Sequence, residues 1–510
     1  RFTRRVRQAY EATMRRLLPR PWLLLLIVIV FLATGWISYQ HVGSGFMPSM
    51  DEGGFVLDYR SEPGTSLTET DRLLRQVEAV LRATPDVETY SRRTGLQLGG
   101  GLTEANTGDF FVRLKPFPRR DIETVMDEVR QKVEREIPGL QIELAQLMED
   151  LIGDLTAVPQ PIEIKLYSDD GNLLIKLGPS VAAAIGKIPG VVDVKPGIVL
   201  AGDALNIQVD RVKASLEGVD PDTITQMVSN YLSGVVTTQI QSGSKMIGVR
   251  AWIPHDLRAT QQSVEELRLR AADGHLFPLK RVATLTPLIG QPEITRDDLK
   301  QMVAVTGRIS GRDIGSVISQ VKQVLNRPGL VPKGVYYSLG GLYAEQQSAF
   351  AGLIAVFLGA VALVFLLLLF LYENFLVAVA MLVTALLALS AVFVGLWITG
   401  TEMNISSMMG MTMIVGIVTE VAIFYYSEYA DLTGEQNQHV RLIKAGNNRM
   451  RPIAMTTLAA AFALLPLALG IGQGAAMQRP LAIAIISGLA VQLPMVLITL
   501  PVLLVVFKAL

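Results

Sequence analysis

The chain has 510 residues, of which 50% are hydrophobic and only 18% are charged, a balance that excludes an ordinary soluble protein. Its 46 basic and 46 acidic side chains leave no net charge to attract nucleic acid or acidic partners. Cysteine is absent, which excludes disulfides and thiolate metal sites. The composition therefore predicts a membrane protein.

Six apolar runs are long enough to cross a bilayer as helices, since about 20 residues span the hydrocarbon core. In chain order they cover residues 22–39, 349–371, 375–398, 405–426, 453–471 and 481–507. Residues 1–21 hold seven arginines and one acid, and the predicted loop before the fifth span carries Arg441, Lys444, Arg449 and Arg451. The positive-inside rule places both basic segments in the cytoplasm, which an even number of intervening spans allows.

A polar stretch, residues 41–348, separates the first two spans and therefore lies on the outer face. Within it, a β run, an amphipathic helix, a turn with proline and a second β run recur, with turns near Pro85, Pro138, Pro189 and Pro328. Each unit predicts a β-α-β arrangement, and two pairs of units would make two ferredoxin-like lobes. Residues 205–299 interrupt the second lobe and predict an inserted subdomain.

The helices of the first lobe have clear caps and periods. Ser66 and Glu69 have the spacing of a capping box at the start of the first helix. One apolar face follows at helical spacing, with Leu73, Leu74, Val77, Val80 and Leu81. The second helix repeats the pattern with Ile122, Val125, Met126, Val129 and Val133.

Three stretches carry a resemblance to a known family. GFMPSMDEGGFVLDYRSEPGTSLTET follows the first span, NRMRPIAMTT opens the fifth, and LPLALGIGQGA comes after it. In this order and spacing they resemble the C-terminal half of a resistance-nodulation-division (RND) efflux permease, over nearly the whole chain. Residues 1–21 are similar to the basic connector that precedes span seven of such a permease.

The resemblance implies a membrane α-helical bundle of six transmembrane helices with a large periplasmic α+β insertion, made of ferredoxin-like porter lobes and a docking subdomain. The implied domains are a cytoplasmic basic connector (1–21), the first transmembrane helix (22–41), porter lobe one (42–158), porter lobe two (159–204 and 300–345), the docking subdomain (205–299) and five transmembrane helices (349–510).

The resemblance also implies location and partners. We expect a multi-pass protein of the bacterial inner membrane, not an enzyme, that needs no cofactor and uses protons as coupling ion. The expected partners are the N-terminal half of the same permease, two further copies in a homotrimer, a periplasmic adaptor and an outer-membrane channel, with no nucleic acid. Because the chain begins with Arg1 and not methionine, we expect a piece of a longer permease. We expect that this piece cannot transport alone, because the resemblance places a carboxylate needed for proton transfer on span four, which is absent.

Glu420 lies at the centre of IVGIVTEVAIFYY, where a charge is costly in a bilayer. By the resemblance, this span is the tenth of the whole permease, and Glu420 takes the ionisable position that faces carboxylates on span four. A glutamate there is similar to the heavy-metal branch, whereas drug exporters commonly carry lysine. The resemblance implies a proton relay of Glu420, Thr456, Thr419 and Arg449. The alternatives are a protonated glutamate that only joins helices, threonines that bond back to their own helix, and an arginine that snorkels.

By the resemblance, the positions of a soft-metal methionine triad hold Asp58, Thr107 and Asp154, so that triad is absent. These residues, with Glu149 and Asp150, predict either oxygen ligands for zinc, nickel or cobalt or a solvated acidic turn. Because uncompensated carboxylates should face water, Leu144, Leu147, Met148 and Leu151 would line an apolar cleft.

We therefore predict a proton-driven RND permease that exports toxic organic or amphiphilic compounds. The first alternative is a heavy-metal cation exporter of the same superfamily. A second is a translocation-assisting or lipid-moving relative, which would have no use for the insert at 205–299. A third, of another class, is a membrane sensor or receptor, which would need no buried proton site.

Overall fold

The structure is a computed structural model that describes residues 2–48, 50–95, 104–156, 160–198, 204–288, 293–435, 437–471 and 474–508. It begins with the amphipathic helix α1 (Phe2–Leu17), followed by the long apolar helix α2 (Trp22–His41). Tyr10, Met14 and Leu17 of α1 are buried against the membrane helices, because they recur at the spacing of one helix face.

A first α+β unit (residues 54–156) follows α2. Its elements are β1 (Gly54–Ser61), α3 (Leu67–Ala83), β2 (Val87–Thr94), β3 (Thr107–Leu114), α4 (Ile122–Glu136), β4 (Leu140–Gln146) and α5 (Leu147–Thr156). The strands form an antiparallel sheet in the order β2-β3-β1-β4. Alternate residues of β1, namely Phe55, Leu57 and Tyr59, pack on the helices, so Asp58 lies on the opposite face.

The predicted helix signals are present in this unit. Ser66 accepts a hydrogen bond from the Glu69 amide at 3.3 Å, which satisfies a free donor at the start of α3. The Glu69 carboxylate binds Arg72 instead of accepting a hydrogen bond from the backbone N–H of Ser66, so only half of the capping box forms. The predicted apolar faces of α3 and α4 pack into the core, with only Leu73 partly exposed.

The chain then starts a second sheet with β5 (Ile162–Tyr167), α6 (Gly171–Ile185) and β6 (Val191–Lys195) before it enters an inserted unit (residues 204–288). The inserted unit has a core of its own. Its elements are β7 (Ala204–Val209), α7 (Arg211–Leu216), α8 (Pro221–Ser233), β8 (Val235–Ser242), β9 (Lys245–Ala251), α9 (Gln261–Glu265), β10 (Arg268–Arg270), β11 (Leu276–Pro278) and β12 (Ala283–Leu288). All residues of the hairpin β8-β9 are exposed.

The second sheet is completed by β13 (Thr295–Asp297), β14 (Lys300–Ile309), α10 (Ile314–Leu325) and β15 (Tyr336–Gly340). Its path is β13-β14-β5-β15, and β6 also pairs with β14. Together with β5, α6 and β6 these elements form the second α+β unit (residues 162–195 and 295–340). Residues 295–297 thus pair within this sheet and not within the insert.

The two α+β units meet through polar contacts, while their apolar cores remain separate. Arg130 of α4 binds Asp193 of β6 at 2.8 Å. The Ser310 hydroxyl donates to the Asp127 carboxylate at 2.9 and 3.0 Å. Arg308 of β14 binds Glu143 of β4 at 2.6 Å while only 4% exposed. These contacts fix how the two sheets face each other.

The chain re-enters the apolar part with α11 (Gly341–Tyr372), α12 (Phe375–Leu387), α13 (Leu389–Ile398), α14 (Ile405–Asp431), α15 (Gln438–Ala468), α16 (Ala475–Pro494) and α17 (Leu500–Val506). Within the described residues, six helices are long and apolar enough to cross a membrane: 22–41, 341–372, 375–398, 405–431, 438–468 and 475–506. The six predicted spans correspond to these helices one by one.

The basic loop predicted before the fifth span is wrong. Arg441, Lys444, Arg449 and Arg451 lie on α15, which begins at Gln438 and continues through Pro452. Hydropathy places the boundary at the charged residues, but arginine and lysine are good helix formers and Asn437 caps the earlier start. The basic turns of α15 therefore extend the helix beyond its apolar part.

A π-helical segment, Met495–Thr499, joins α16 to α17. Pro501 follows it and lacks the N–H that would bind the Leu497 carbonyl four residues earlier. The Tyr10 hydroxyl of α1 donates to that carbonyl at 3.1 Å. Helix α1 is therefore tied to the irregular turn of the last span.

Candidate functional site

The first candidate site is a pocket of about 370 Å³ between α14, α15 and α16, here called the membrane pocket. Glu420, Arg449 and Thr456 all line it, so three of the four predicted relay residues share one cavity. Glu420 is exposed in this chain, on a stripe of α14. The other exposed members of that stripe recur at helical spacing: Met409, Met413, Gly416 and Phe424.

The two predicted relay threonines are placed differently. Thr419 is buried, and its hydroxyl donates to the Val415 carbonyl of its own helix at 2.7 Å. Thr456 borders the membrane pocket, but its hydroxyl also bonds back, to the Ile453 carbonyl at 3.0 Å and the Pro452 carbonyl at 3.2 Å. Only Thr456 is thus positioned to meet a group that enters the pocket.

Gln492 is a residue of this site that the sequence reasoning missed. Its Oε1 accepts from the Thr457 hydroxyl at 3.1 Å, and its Nε2 donates to the Ile417 carbonyl at 3.3 Å. Gln492 is 1% exposed and joins α14, α15 and α16 one turn from Glu420. The signal was an amide inside an apolar span, which needs hydrogen-bond partners when no water is present.

Arg449 lies where the membrane pocket meets the end of the bundle. Its Nε is 2.9 Å from the Glu428 carboxylate of α14, and Asn448 donates to the same carboxylate at 2.8 Å. Arg449 is therefore held by an ion pair and does not approach Glu420 as a direct partner.

The second candidate site lies on the face of the first sheet that is turned towards the second. Asp58 of β1 stands in register with Asp109 of β3 on one side and Glu143 of β4 on the other. Three carboxylates therefore form a row across the sheet, and such neighbours repel when all are charged. A pocket of about 370 Å³, here called the outer pocket, is lined by Asp58, Thr107, Lys195, Thr306 and other residues of both units.

Basic side chains neutralise both ends of this row. Arg93 binds Asp109 through two hydrogen bonds of 2.7 and 2.8 Å. Glu143 is bound by Arg308, by Lys195 and, at 3.0 Å, by Gln160. Within the described residues, Asp58 has no hydrogen bond or ion pair.

The charges set opposite pKa shifts for neighbouring carboxyl groups. Burial, reinforced by repulsion from Asp150 and Glu143, raises the pKa of Asp58 to about 7. Burial also disfavours the charged form of Glu143, but Arg308 and Lys195 outweigh it and lower the pKa of Glu143 to about 2. Asp58 is therefore the carboxyl group of this row that titrates near neutral pH.

The remaining predicted residues of the outer site are spread out. Thr107 lines the outer pocket, whereas Glu149 binds Arg308 at 2.7 Å and borders a separate cavity near the membrane helices. Asp150 acts on Asp58 electrostatically, and the Asp154 side chain lies outside the described residues. Within the described part of the chain, no three His, Asp or Glu side chains form a group suited to a metal ion.

The prediction that Leu144 lines an apolar cleft is wrong. Leu144 belongs to β4, and the alternation of the strand turns it into the core of the first unit, where it is 1% exposed. Helix α5 starts only at Leu147, and Met148 and Leu151 are exposed there. One continuous apolar face from 144 to 151 therefore does not form.

A chain of short contacts links the membrane part to the second unit. Residues 43–45 pair with Met403, which directly precedes the Asn404 cap of α14. The amide of Ser44 donates at 3.2 Å to Asp313, the capping residue of α10. A shift at the start of α14 would therefore be felt by the second sheet.

The sequence of this chain is similar to those of known metal-resistance proteins. The chain is 26% identical over 511 aligned residues to the cobalt-zinc-cadmium resistance protein CzcA of Cupriavidus metallidurans. That alignment covers 98% of this chain and 48% of CzcA. It is 25% identical to the nickel and cobalt resistance protein CnrA of the same organism, over 93% of this chain and 45% of that protein. The chain thus spans about half the length of these relatives.

The fold itself matches a solved structure. A crystal structure of a heavy metal efflux pump has a TM-score of 0.84 and 24% identity, over 99% of this chain and 52% of that one. The model of the AcrB/AcrD/AcrF family matches residues 1–508. The predicted resemblance is confirmed: the chain belongs to the AcrB/AcrD/AcrF family, and is part of an RND permease.

Proposed function

We propose that this chain is half of a proton-driven RND permease that exports divalent metal cations. The observation that carries the proposal is Asp58, a partly buried carboxyl group in the outer pocket between the two α+β units that has no hydrogen bond or ion pair in the described part of the chain. Oxygen ligands suit hard and borderline cations such as zinc, nickel and cobalt. The names of the relatives favour this cation alternative over the organic cargo predicted from the sequence.

The donor set at Asp58 is incomplete while Lys195 is in place. Thr107 offers a hydroxyl oxygen, but the neighbouring carboxylate in register on β4, Glu143, is bound by Lys195 and Arg308. A cation that displaced the Lys195 ammonium would be coordinated by the carboxylates of both Asp58 and Glu143. We infer that Lys195 occupies the place of the cargo between transport events.

On the membrane side, Glu420 would carry the proton. Its exposed stripe on α14 presents one carboxylate between apolar residues and Gly416, where a helix of a second half could pack closely. Burial of Glu420 by that half would favour its neutral form, so that a proton would bind and leave as the helices change arrangement. Each proton moved through about 100 to 200 mV supplies about 2 to 5 kcal/mol.

The contacts at residues 43–45 supply a route for coupling. Protonation that shifts α14 would move Met403, the bridge residue Ser44 and the Asp313 cap of α10 in turn. The polar junction between the units would then open or close around the outer pocket. Proton binding at Glu420 and cation binding at the outer pocket would thus be linked, because both would bias the same open or closed arrangement of the junction between the two α+β units.

The assembly belongs to the same proposal. The strand orders of both α+β units match a ferredoxin-like pattern, which suits the porter lobes of a permease. The hairpin β8-β9 exposes apolar side chains to solvent, and these suit contact with another copy in a trimer. We further propose an inner-membrane location, with a periplasmic adaptor and an outer-membrane channel as partners.

Transport in proteoliposomes tests the proposal. The permease that contains this chain should move zinc, cobalt or nickel when a proton gradient is imposed, and Glu420→Gln should abolish that flux while the protein stays assembled. Asp58→Asn should weaken cation transport, whereas the matched change Asp256→Asn, at an exposed position of the inserted unit, should not. Export of dyes but no metal would favour organic cargo, and no flux of either would favour a sensor.

A further inference from the structure

The end of the bundle opposite to the α+β units carries a basic surface that the transport sites do not use. Helix α1 lies across this end with Tyr10, Met14 and Leu17 buried below it. Its other face, the connection from α1 to α2 and the nearby turns of α15 hold exposed basic side chains: Arg5, Arg7, Arg15, Arg16, Arg20, Lys444 and Arg451. We call these residues the basic rim.

Helix α1 itself offers one acid to neutralise the basic rim. Glu11 is the acidic residue of α1; its carboxylate is 3.4 Å from Arg7 and also accepts from Asn447 at 2.7 Å. Arg15, Arg16 and Arg20 have no ion pair among the described residues. A cluster of like charges that stays exposed and unpaired is a surface that favours an anionic partner.

The position of the rim identifies the kind of anion. Arg20 is followed at once by Pro21 and by Trp22, the 61% exposed first residue of the membrane helix α2. Tryptophan is enriched at the level of lipid headgroups, so the arginines that precede it lie in that plane. The basic side chains of the rim are all exposed and spread along several turns, which suits several headgroups and not one enclosed soluble anion.

Helix α1 is fixed in this position by specific contacts. The Tyr10 hydroxyl fills the donor role that Pro501 cannot, at the Leu497 carbonyl of the π-helical segment. Gly446 of α15 allows the Tyr10 ring to approach, since a side chain there would collide with the Tyr10 hydroxyl. The basic rim is therefore held as part of the bundle and not carried by a free tail.

We propose that the basic rim binds anionic phospholipid headgroups of the leaflet at that end of the membrane helices. A helix with arginines on one face and a buried apolar face on the other is typical of segments that lie in the membrane interface. Each basic side chain near an anionic surface strengthens binding roughly fivefold, and the effect falls off within a Debye length. Transport activity is not needed for this binding, so the proposal stands apart from the proposed function.

The test uses the full permease in nanodiscs of phosphatidylcholine, titrated with short-chain phosphatidylglycerol or with inorganic phosphate. The test variant is Arg15→Gln/Arg16→Gln/Arg20→Gln. The control is Lys187→Gln/Arg268→Gln/Arg296→Gln, which removes the same charge from exposed positions of the second α+β unit and the inserted unit. Thermal unfolding without added lipid checks that both variants fold.

We expect the parent and the control to bind phosphatidylglycerol equally, and the test variant to bind it roughly a hundredfold more weakly. Added salt should weaken binding by the parent and leave the test variant little changed. Equal binding by all three proteins would overturn the proposal. The proposal would also be overturned if the parent bound phosphatidylcholine as tightly as phosphatidylglycerol. It would be overturned as well if inorganic phosphate displaced phosphatidylglycerol at the same concentration at which the lipid itself binds.

Discussion

Asp58 and Glu143 lie side by side in register on β1 and β4, yet within the described residues only Glu143 of the two forms ion pairs. The difference follows from the second α+β unit, which brings Lys195 and Arg308 to β4 and leaves Asp58 facing the outer pocket. Two neighbouring carboxyl groups thus have a raised and a lowered pKa.

Cation binding at the outer pocket should depend on pH through Asp58. Its pKa of about 7 means that the carboxyl group is largely neutral below that value, and a cation must compete with the proton. We expect affinity for zinc or cobalt to fall about tenfold per pH unit below pH 7 and to level off above it. Calorimetric titration at several pH values measures this slope, and a slope that persists in Asp58→Asn would contradict the assignment.

The same carboxyl group should affect stability. Because its folded pKa is raised, its contribution is fully present below the ordinary value of 3.8 and is lost as pH rises through 7. Asp58→Asn removes this dependence, so the variant should gain roughly 2 to 4 kcal/mol relative to the parent at pH 8, and little at pH 4. Thermal unfolding of both proteins at the two pH values shows whether the gain appears only at high pH.

Removal of the Lys195 ammonium should strengthen cation binding. Lys195→Met keeps the length of the side chain but frees one side of Glu143, which Arg308 still binds. We expect affinity for a divalent cation to rise about tenfold, since a positive charge beside the site is lost. Lys187→Met, an exposed position of the same unit, serves as the control, and equal effects of the two changes would show that Lys195 does not compete with cargo.

Arg308 should be the most sensitive residue of the junction between the units. It is 4% exposed and binds both Glu143 and Glu149, so Arg308→Met leaves the buried Glu143 carboxylate with fewer partners. Loss of one member of a buried ion pair costs about 3 to 5 kcal/mol. The exposed pair of Arg113 and Glu88 gives the comparison, because Arg113→Met should cost less than about 1 kcal/mol. Comparable melting temperatures for the two variants would refute a structural role of Arg308.

Thr456 and Thr457 are adjacent but should respond differently to the same change. Thr457→Val leaves Oε1 of buried Gln492 without its donor, which should lower stability by about 1 to 2 kcal/mol. Thr456→Val removes a hydroxyl that bonds only to its own helix among the described residues, so stability should hold while proton-coupled transport falls. Unfolding and transport measured together separate the two roles; undiminished transport in Thr456→Val would remove Thr456 from the relay.

The Asp313 cap should matter for coupling beyond its role in α10. Asp313→Ala removes both the cap and the acceptor for the Ser44 amide, whereas Asp170→Ala removes only the cap of α6. Both changes should cost about 0.5 to 2 kcal/mol. Only Asp313→Ala should lower the cation flux per proton moved, and equal flux ratios in the two variants would exclude the route through residues 43–45.

The order of helices and strands could be predicted because it depends on local patterns. Apolar spacing along α3 and α4 and the caps at Ser66 and Asp121 are properties of neighbouring residues. The start of α15 could not be placed, since hydropathy stops at Arg451 while helix propensity does not. Glu420 was visible as a single charge in an apolar run, but Gln492 carries no charge and drew no attention.

The outer site was harder to predict than the membrane site for a physical reason. Lys195 and Arg308 reach Glu143 only when two separately folded sheets pack together, and no local pattern records that contact. Asp58 could be proposed from the family resemblance, but its lack of a partner depends on the same packing. Asp154 stays a prediction.

The junction of the two α+β units is built from ion pairs and hydroxyl contacts, while each unit keeps its own apolar core. When such a surface separates, water replaces the partners of Arg130, Asp193 and Asp127, and the two apolar cores stay closed. Opening then lacks the large heat-capacity change that accompanies hydration of apolar surface. The two α+β units can therefore separate and rejoin many times in water without exposing a large apolar surface that favours aggregation.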